Sequence, residues 1–170
     1  MNHLIIEGFI GSGKGRVGKL VGKKLDLPVI DVDRLVSEKV RMSTAEIYDR
    51  LGEPYYRALE TIALGELVQM PQRSVIILGS GVAMMPQNAA YLKQLGRVYY
   101  IRMEIKSVIA AMKASKKHSW IRPDSWEDQV TKLYKEREPA YGKVADVVIA
   151  GDGKTAEEIA GEILAYDQGT

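Results

Sequence analysis

Short apolar runs alternate along this chain with segments whose apolar positions recur at helical spacing. Leu4-Ile5-Ile6 reads as a buried strand, and Val17, Leu20, Val21 and Leu25 then mark one face of a helix. Leu27-Pro28-Val29-Ile30 predicts a short second strand ending at Asp31-Val32-Asp33, followed by a helix over residues 34–41 with Leu35 and Val36 inward. Ser43-Thr44-Ala45-Glu46 has the form of a capping box and opens a short helix that stops near Gly52. Pro54 suits the first turn of a longer helix reaching about Met70. A buried strand over residues 74–78 is broken by Gly79-Ser80-Gly81, and a helix over 87–95 precedes a strand over 98–101. A helix over 106–113 runs into a polar, basic stretch over 115–125. Residues 126–137 read as a helix ended by Pro139, with a last strand at Val147-Val148-Ile149 and a closing helix over 155–165. Five strand–helix units with continuous apolar strands predict an α/β fold with a parallel sheet covered on both faces. The length of 170 residues fits one domain, 1–170, with no linker or repeat.

The first strand–helix junction carries the strongest chemistry. Gly8-Phe9-Ile10-Gly11-Ser12-Gly13-Lys14 follows a strand and opens a helix, the setting in which G-x-x-x-x-G-K forms a phosphate-binding loop. Glycines let successive N–H groups turn inward, the helix N-terminus adds positive potential, and Lys14 reaches the outer phosphates. Gly15 stands where such loops carry a Ser or Thr that ligates Mg²⁺, so the metal half of the signal is missing.

Composition narrows the rest. A formal charge of +2 without a dense basic tract predicts no nucleic-acid partner. The absence of cysteine excludes disulfides, thiol catalysis and Cys-based zinc sites. With no signal-peptide pattern and no apolar run near the ~20 residues of a membrane span, the expectation is a cytoplasmic protein without a membrane partner.

Ligands of parallel sheets gather at the carboxyl ends of the strands, so the separate loops can be read as one site. Asp31 and Asp33, two apart, face one side of an extended chain. One could serve a hydrated Mg²⁺ and the other a substrate hydroxyl, or Asp33 could simply cap the next helix. Arg57, with Glu60 on the same helical face, and Arg137 could converge on a carboxylate or phosphate. Backbone N–H groups of Gly79 and Gly81 could face the same anion. Lys116, Lys117 and Arg122 lie in the basic stretch. A mobile arginine there could close on ATP and stabilise the transferring phosphoryl group, or the stretch could be an ordinary solvated charge run. His3 and His118 lack partners at metal-ligand spacing.

Taken in order, these segments resemble the shikimate kinase family over nearly the whole chain. The 8–14 loop resembles its phosphate loop, and Ile30-Asp31-Val32-Asp33 its D-x-D segment. Tyr56-Arg57 with Glu60 is similar to its F-R-x-x-E helix, and Gly79-Ser80-Gly81 stands where the family has three glycines. Ile121-Arg122-Pro123 resembles the lid arginine with its proline, and Glu136 to Tyr141 followed by Ala145-Asp146 resembles R-x-P-x-Y…A-D. Gly15-Arg16 replaces the usual Ser-Thr, Ser80 replaces the middle glycine, and the segment between Arg122 and Arg137 is shorter than usual.

The resemblance implies a three-layer phosphate-loop kinase fold with a five-stranded parallel sheet and a lid near residues 115–125. It implies ATP-dependent phosphorylation of the shikimate 3-hydroxyl with Mg²⁺, in aromatic amino-acid biosynthesis, by a monomer. ATP would meet Gly11, Ser12, Gly13, Lys14, Gly15, Arg16 and Arg122. Shikimate would meet Asp33, Arg57, Gly79, Ser80, Gly81 and Arg137, and Asp31 would serve the metal. Lys14, Asp33 and Arg122 would be the catalytic residues. Two rivals stand beside this reading: a kinase of the same fold for gluconate or a nucleoside monophosphate, and a nucleotide-binding protein that no longer catalyses.

Overall fold

The computed structural model describes residues 2–115 and 125–169. The strands are β1 (His3–Gly8), β2 (Val29–Asp31), β3 (Val75–Ile77), β4 (Gly96–Arg102) and β5 (Val147–Ala150). All pairings are parallel, in the order β2-β3-β1-β4-β5, with Ile5 of β1 level with Ile76 of β3 and Val98 of β4. The helices are α1 (Lys14–Leu25), α2 (Val32–Val40), α3 (Thr44–Leu51), α4 (Glu53–Val68), α5 (Asn88–Leu95), α6 (Ile105–Ser115), α7 (Trp126–Val144) and α8 (Ala156–Gln168).

The two faces of β1 seed two cores. Leu4 and Ile6 pack with Val17 and Val21 of α1 and Ile159 and Ile163 of α8. Ile5 points the other way and packs with Val32 and Val36 of α2, Tyr56 and Leu64 of α4 and Leu92 of α5. At about 1.5–3 kcal/mol for each large apolar side chain removed from water, these layers fix the sheet between the helices. A third cluster, with Phe9, Tyr100, Val108, Met112, Trp126, Val130 and Tyr141, seats α6 and α7 beside β4.

Helix α1 lies unusually close to the sheet. A Cβ on Gly18 would come within 2.6 Å of Ile77 Cγ1, and one on Gly22 would collide with Val29. Two glycines four apart therefore let the helix backbone itself rest on β3 and β2.

Helices α3 and α8 begin with full capping boxes, Ser43 with Glu46 and Thr155 with Glu158. Helix α1 differs: Gly13 at its N-cap makes no side-chain cap, and no acidic residue sits in its first turn. Its leading N–H groups are left for something else.

Two sequence expectations need correction. Asp31 and Asp33 do not share one face of an extended chain, because α2 starts at Val32. Asp31 is its N-cap, accepting from the Arg34 N–H at 3.3 Å, and Asp33 stands in its first turn. The cap is thus Asp31, not Asp33. Nor does Pro139 end a helix: α7 runs through it to Val144. An interior proline costs about 3 kcal/mol. Tyr141 offsets it from beyond the proline, fully buried, its ring 5.3 Å from that of Tyr100 and its hydroxyl donating to the Ser80 carbonyl.

Candidate active site

The loop between β1 and α1 curls because Gly11 and Gly13 adopt left-handed backbone angles, φ 80° and 79°, which side chains resist. The Ser12 N–H closes the turn on the Phe9 carbonyl at 3.1 Å. Lys14 folds back, and its Nζ donates to the Gly8 carbonyl at 2.7 Å. Burial makes Lys14 hold its proton less tightly than a free lysine, while the carboxylates of Glu7, Asp33 and Asp31 work in the opposite direction. The result is a concave loop with one lysine at its rim and an uncapped helix behind it, a receptor for phosphate.

A second concavity forms around the loop after β3, where three consecutive residues each meet a different functional side chain. A Cβ on Gly79 would come within 2.6 Å of both Asp33 Oδ1 and Glu60 Oε2. Ser80 Oγ accepts from Arg137 Nη1 at 2.7 Å. A Cβ on Gly81 would collide with the Arg57 guanidinium. Asp33, Arg57 and Arg137, far apart in sequence, therefore converge on Gly79-Ser80-Gly81.

Each member of this pocket is held. Asp33 accepts a hydrogen bond from the Tyr56 hydroxyl. Burial, followed by the charge of Asp33, pushes that phenol far above its usual pKa, so it stays a donor. Arg57 donates to Glu60, to the Tyr48 hydroxyl at 2.9 Å and to Glu53 at 3.4 Å. Glu60 is fully buried; desolvation raises its pKa to about 7 although Arg57 pulls the other way. Thr61 bonds Asn88 at 2.8 Å, and Asn88 donates to the Val82 carbonyl at 2.9 Å, tying α4 to the short turn Val82–Met84.

The fit of a metal ion follows from the donors present. Among the described residues no three His, Cys, Asp or Glu side chains gather as a metal site. Gly15 offers no side-chain oxygen, and Asp31 already accepts from the Arg34 N–H. These residues do not build a resident site. They leave an ion to be coordinated by nucleotide phosphates and water. Arg16 turns to the exposed surface and pairs with Glu157 at 3.2 Å, at the start of α8. Lys116, Lys117, His118, Arg122 and most of the 115–125 stretch expected to form a lid lie outside the described residues. His3 is buried, and its Nδ1 accepts from the Ser74 N–H at 3.0 Å, a packing role.

Tyr48 and Glu7 are the neighbours that sequence reasoning missed. Tyr48 carried no signal beyond its helix. Glu7 did carry one, an acid closing an apolar strand run. It is fully buried, and its Oε1 accepts from the Gly8 N–H at 2.8 Å.

A 2-3-1-4-5 parallel sheet, a glycine–lysine loop after its central strand and an arginine- and carboxylate-lined pocket beside it define a phosphotransferase acting on a hydroxyl group of a small molecule. The shikimate kinase family profile matches residues 10–168. A shikimate kinase from Caldanaerobacter subterraneus subsp. tengcongensis is 33% identical over 164 residues, covering 96% of this chain and 95% of that protein. The shikimate kinase from Acinetobacter baumannii in complex with shikimate superposes with a TM-score of 0.90 at 25% identity, over 99% of this chain and 94% of that one. The Aquifex aeolicus shikimate kinase gives a TM-score of 0.81 at 29% identity, over 98% and 96%. The chain belongs to the shikimate kinase family.

Proposed function

We propose that this protein transfers the γ-phosphoryl group of ATP to the 3-hydroxyl of shikimate. The observation that carries the reading is the convergence of Asp33, Arg137 and Arg57 on Gly79, Ser80 and Gly81. Two guanidinium groups match a carboxylate in charge and geometry, and a carboxylate matches a hydroxyl donor. Shikimate carries both groups on one ring.

In this reading the Gly8–Lys14 loop and the first turn of α1 receive the β- and γ-phosphates, and Lys14 moves from the Gly8 carbonyl to the phosphate oxygens. Arg57 and Arg137 clamp the carboxylate, which turns the acceptor hydroxyl toward Asp33. The hydroxyl oxygen forms a bond to the γ-phosphorus as the bond from that phosphorus to the bridging oxygen breaks. ADP leaves, and the hydroxyl proton passes late to Asp33. Phosphoryl transfer has a loose transition state, so positioning and charge neutralisation supply most of the acceleration. Lys14 and Arg122 are the neutralising cations. Asp31 is the residue that would serve Mg²⁺ brought with ATP, and the ion would supply further charge neutralisation. The protein works as a cytoplasmic monomer.

An ADP-release assay with shikimate, gluconate and CMP, each with Mg²⁺ and with Mn²⁺, tests the reading. Turnover with shikimate alone supports it. Turnover only with gluconate or CMP replaces the acceptor, and nucleotide binding without any turnover replaces the activity.

A further inference from the structure

Beneath the phosphate loop lies a carboxylate for which the reaction above has no use. Glu7 is the penultimate residue of β1 and has no exposed surface. Strand alternation puts it on the Ile5 face, the side of the acceptor pocket. Oε1 accepts from the Gly8 N–H at 2.8 Å, while Oε2 is buried with no hydrogen-bond partner. On the other side of the same residue, the Gly8 carbonyl accepts from Lys14 Nζ at 2.7 Å. Gly8 thus separates a buried carboxylate from the lysine that serves the phosphates, and each is fastened to one end of it.

We propose that Glu7 is a positioning residue for Lys14, the buried counter-ion of that lysine in the nucleotide-free loop, and that it takes up a proton when phosphates draw the lysine away. The inference rests on the nucleotide-binding reading of the loop. A buried carboxylate is tolerated where a cation is close. Once Lys14 turns to the phosphates, Glu7 loses that cation and gains a neighbouring polyanion, and both changes favour its neutral form.

Glu7 is already poised for this. Desolvation raises its pKa to about 7, opposed chiefly by Lys14 and by the Gly8 N–H. The other charges that act on it are Glu60 from α4, which raises it further, and Arg137 from α7, which lowers it. Tyr100 from β4 and Tyr141 from α7 also feel its charge. Both phenols are pushed upward, mainly by burial, and stay neutral. Of the carboxylates acting on it, Glu60 shares the titration range, and it is bound to Arg57. Bound nucleotide would push Glu7 above about 7, so uptake is largest just above neutral pH.

The test is calorimetric titration of the whole protein with ADP at about pH 8, above the second phosphate pKa of about 6. It is run in two buffers of different ionisation enthalpy on the wild type, Glu7→Gln and Glu60→Gln. Wild type and Glu60→Gln should take up a large fraction of one proton on binding, and Glu7→Gln close to none. Wild-type affinity for ADP should fall with rising pH, by up to about tenfold per unit for one linked proton. That slope should vanish in Glu7→Gln, which should bind ADP several-fold more tightly at the alkaline end. If Glu7→Gln does not fold, Glu7→Met provides the same loss of the titrating group and should also flatten the profile. Unchanged proton uptake in the folded Glu7 variant, or uptake lost only in Glu60→Gln, overturns the role of Glu7 and leaves the kinase reading standing. Absence of any ADP binding by the wild type overturns both.

Discussion

Arg137 Nη1 donates to Ser80 Oγ at 2.7 Å, and Tyr141, one turn along the same helix, donates to the carbonyl of that same serine. Helix α7 therefore grips the β3 loop at two points through one residue. The serine hydroxyl orients the arginine before any acceptor arrives and occupies one of its N–H donors. A bound carboxylate has to share Arg137 with Ser80, and Arg57 with Glu60, Tyr48 and Glu53.

Arg137→Ala should weaken shikimate binding by ~2–5 kcal/mol, the range for truncating one side of a hydrogen-bonded charge pair, and leave ADP binding almost unchanged. The fold should survive, since the Ser80 hydroxyl left behind is only half-buried. Isothermal titration with each ligand separates the two effects. Normal shikimate affinity would remove Arg137 from the carboxylate clamp.

Arg57→Ala should behave differently, because it strands Glu60 in the interior. Breaking a buried pair costs about 3–5 kcal/mol, so a large drop in denaturation midpoint should accompany the loss of shikimate binding. Glu60→Gln in the same chain should recover part of the stability without recovering the binding. Equal melting of Arg57→Ala and wild type would contradict the buried pair.

Gly15→Ser tests the incomplete metal half of the loop. A Cβ at Gly15 meets nothing within 4 Å, so the hydroxyl fits without rearrangement. Glycine costs up to ~1 kcal/mol against better helix formers, so a small gain in stability is expected as well. Tighter apparent Mg²⁺ binding and faster turnover should follow, with shikimate KM little changed. Slower turnover would show that Gly15 and its neighbours define another arrangement around the phosphates.

Glu7 also links stability to pH. Its pKa rises from 4.5 to about 7 on folding, so the folded chain holds the proton more tightly and stability from this group falls as pH rises through that window. Glu7→Gln should therefore stabilise the protein more at about pH 7.5 than at about pH 5.5, by on the order of 1–2 kcal/mol. Denaturation curves at the two pH values measure that difference of differences. An equal effect at both would place the Glu7 proton equally in the folded and unfolded chains.

Arg122→Ala should lower turnover by about 10²–10³-fold, the scale for losing one group that stabilises transition-state charge. Trp120 gives a direct signal from the same stretch in a Trp126→Phe background, which removes the buried second indole. Its emission should change on saturation with ATP. Flat emission together with full turnover in Arg122→Ala would make the stretch a static surface loop.

Much of the scaffold was legible because β1 and β3 are continuous apolar runs and the β1–α1 junction has distinctive glycine spacing. The pocket was legible only as a list of residues. That Asp33, Arg137 and Arg57 meet Gly79, Ser80 and Gly81 one by one depends on sheet order, which no local pattern encodes. Two local rules also misled. Two aspartates at strand spacing looked co-facial, but Asp31 can cap a helix and does so, which rotates Asp33 away. Pro139 looked like a terminator, but the burial of Tyr141 beyond it outweighs the lost backbone bond. Glu7 was visible as a polar letter at the end of an apolar word, and its importance emerged only with its burial.

The flush seating of α1 on β3 gives Gly18 an influence that no ligand contact would reveal. The donors of the phosphate loop are the leading edge of that helix, so their height above the strands is set by the clearance between Gly18 and Ile77, one turn further along. A methyl group there acts as a shim: Ile77 has to shift or the helix has to tilt, and tilting moves every donor in the loop together. A deep mutational scan for nucleotide affinity should therefore flag Gly18 among the sensitive positions, although its side of the helix faces the sheet and never the phosphate.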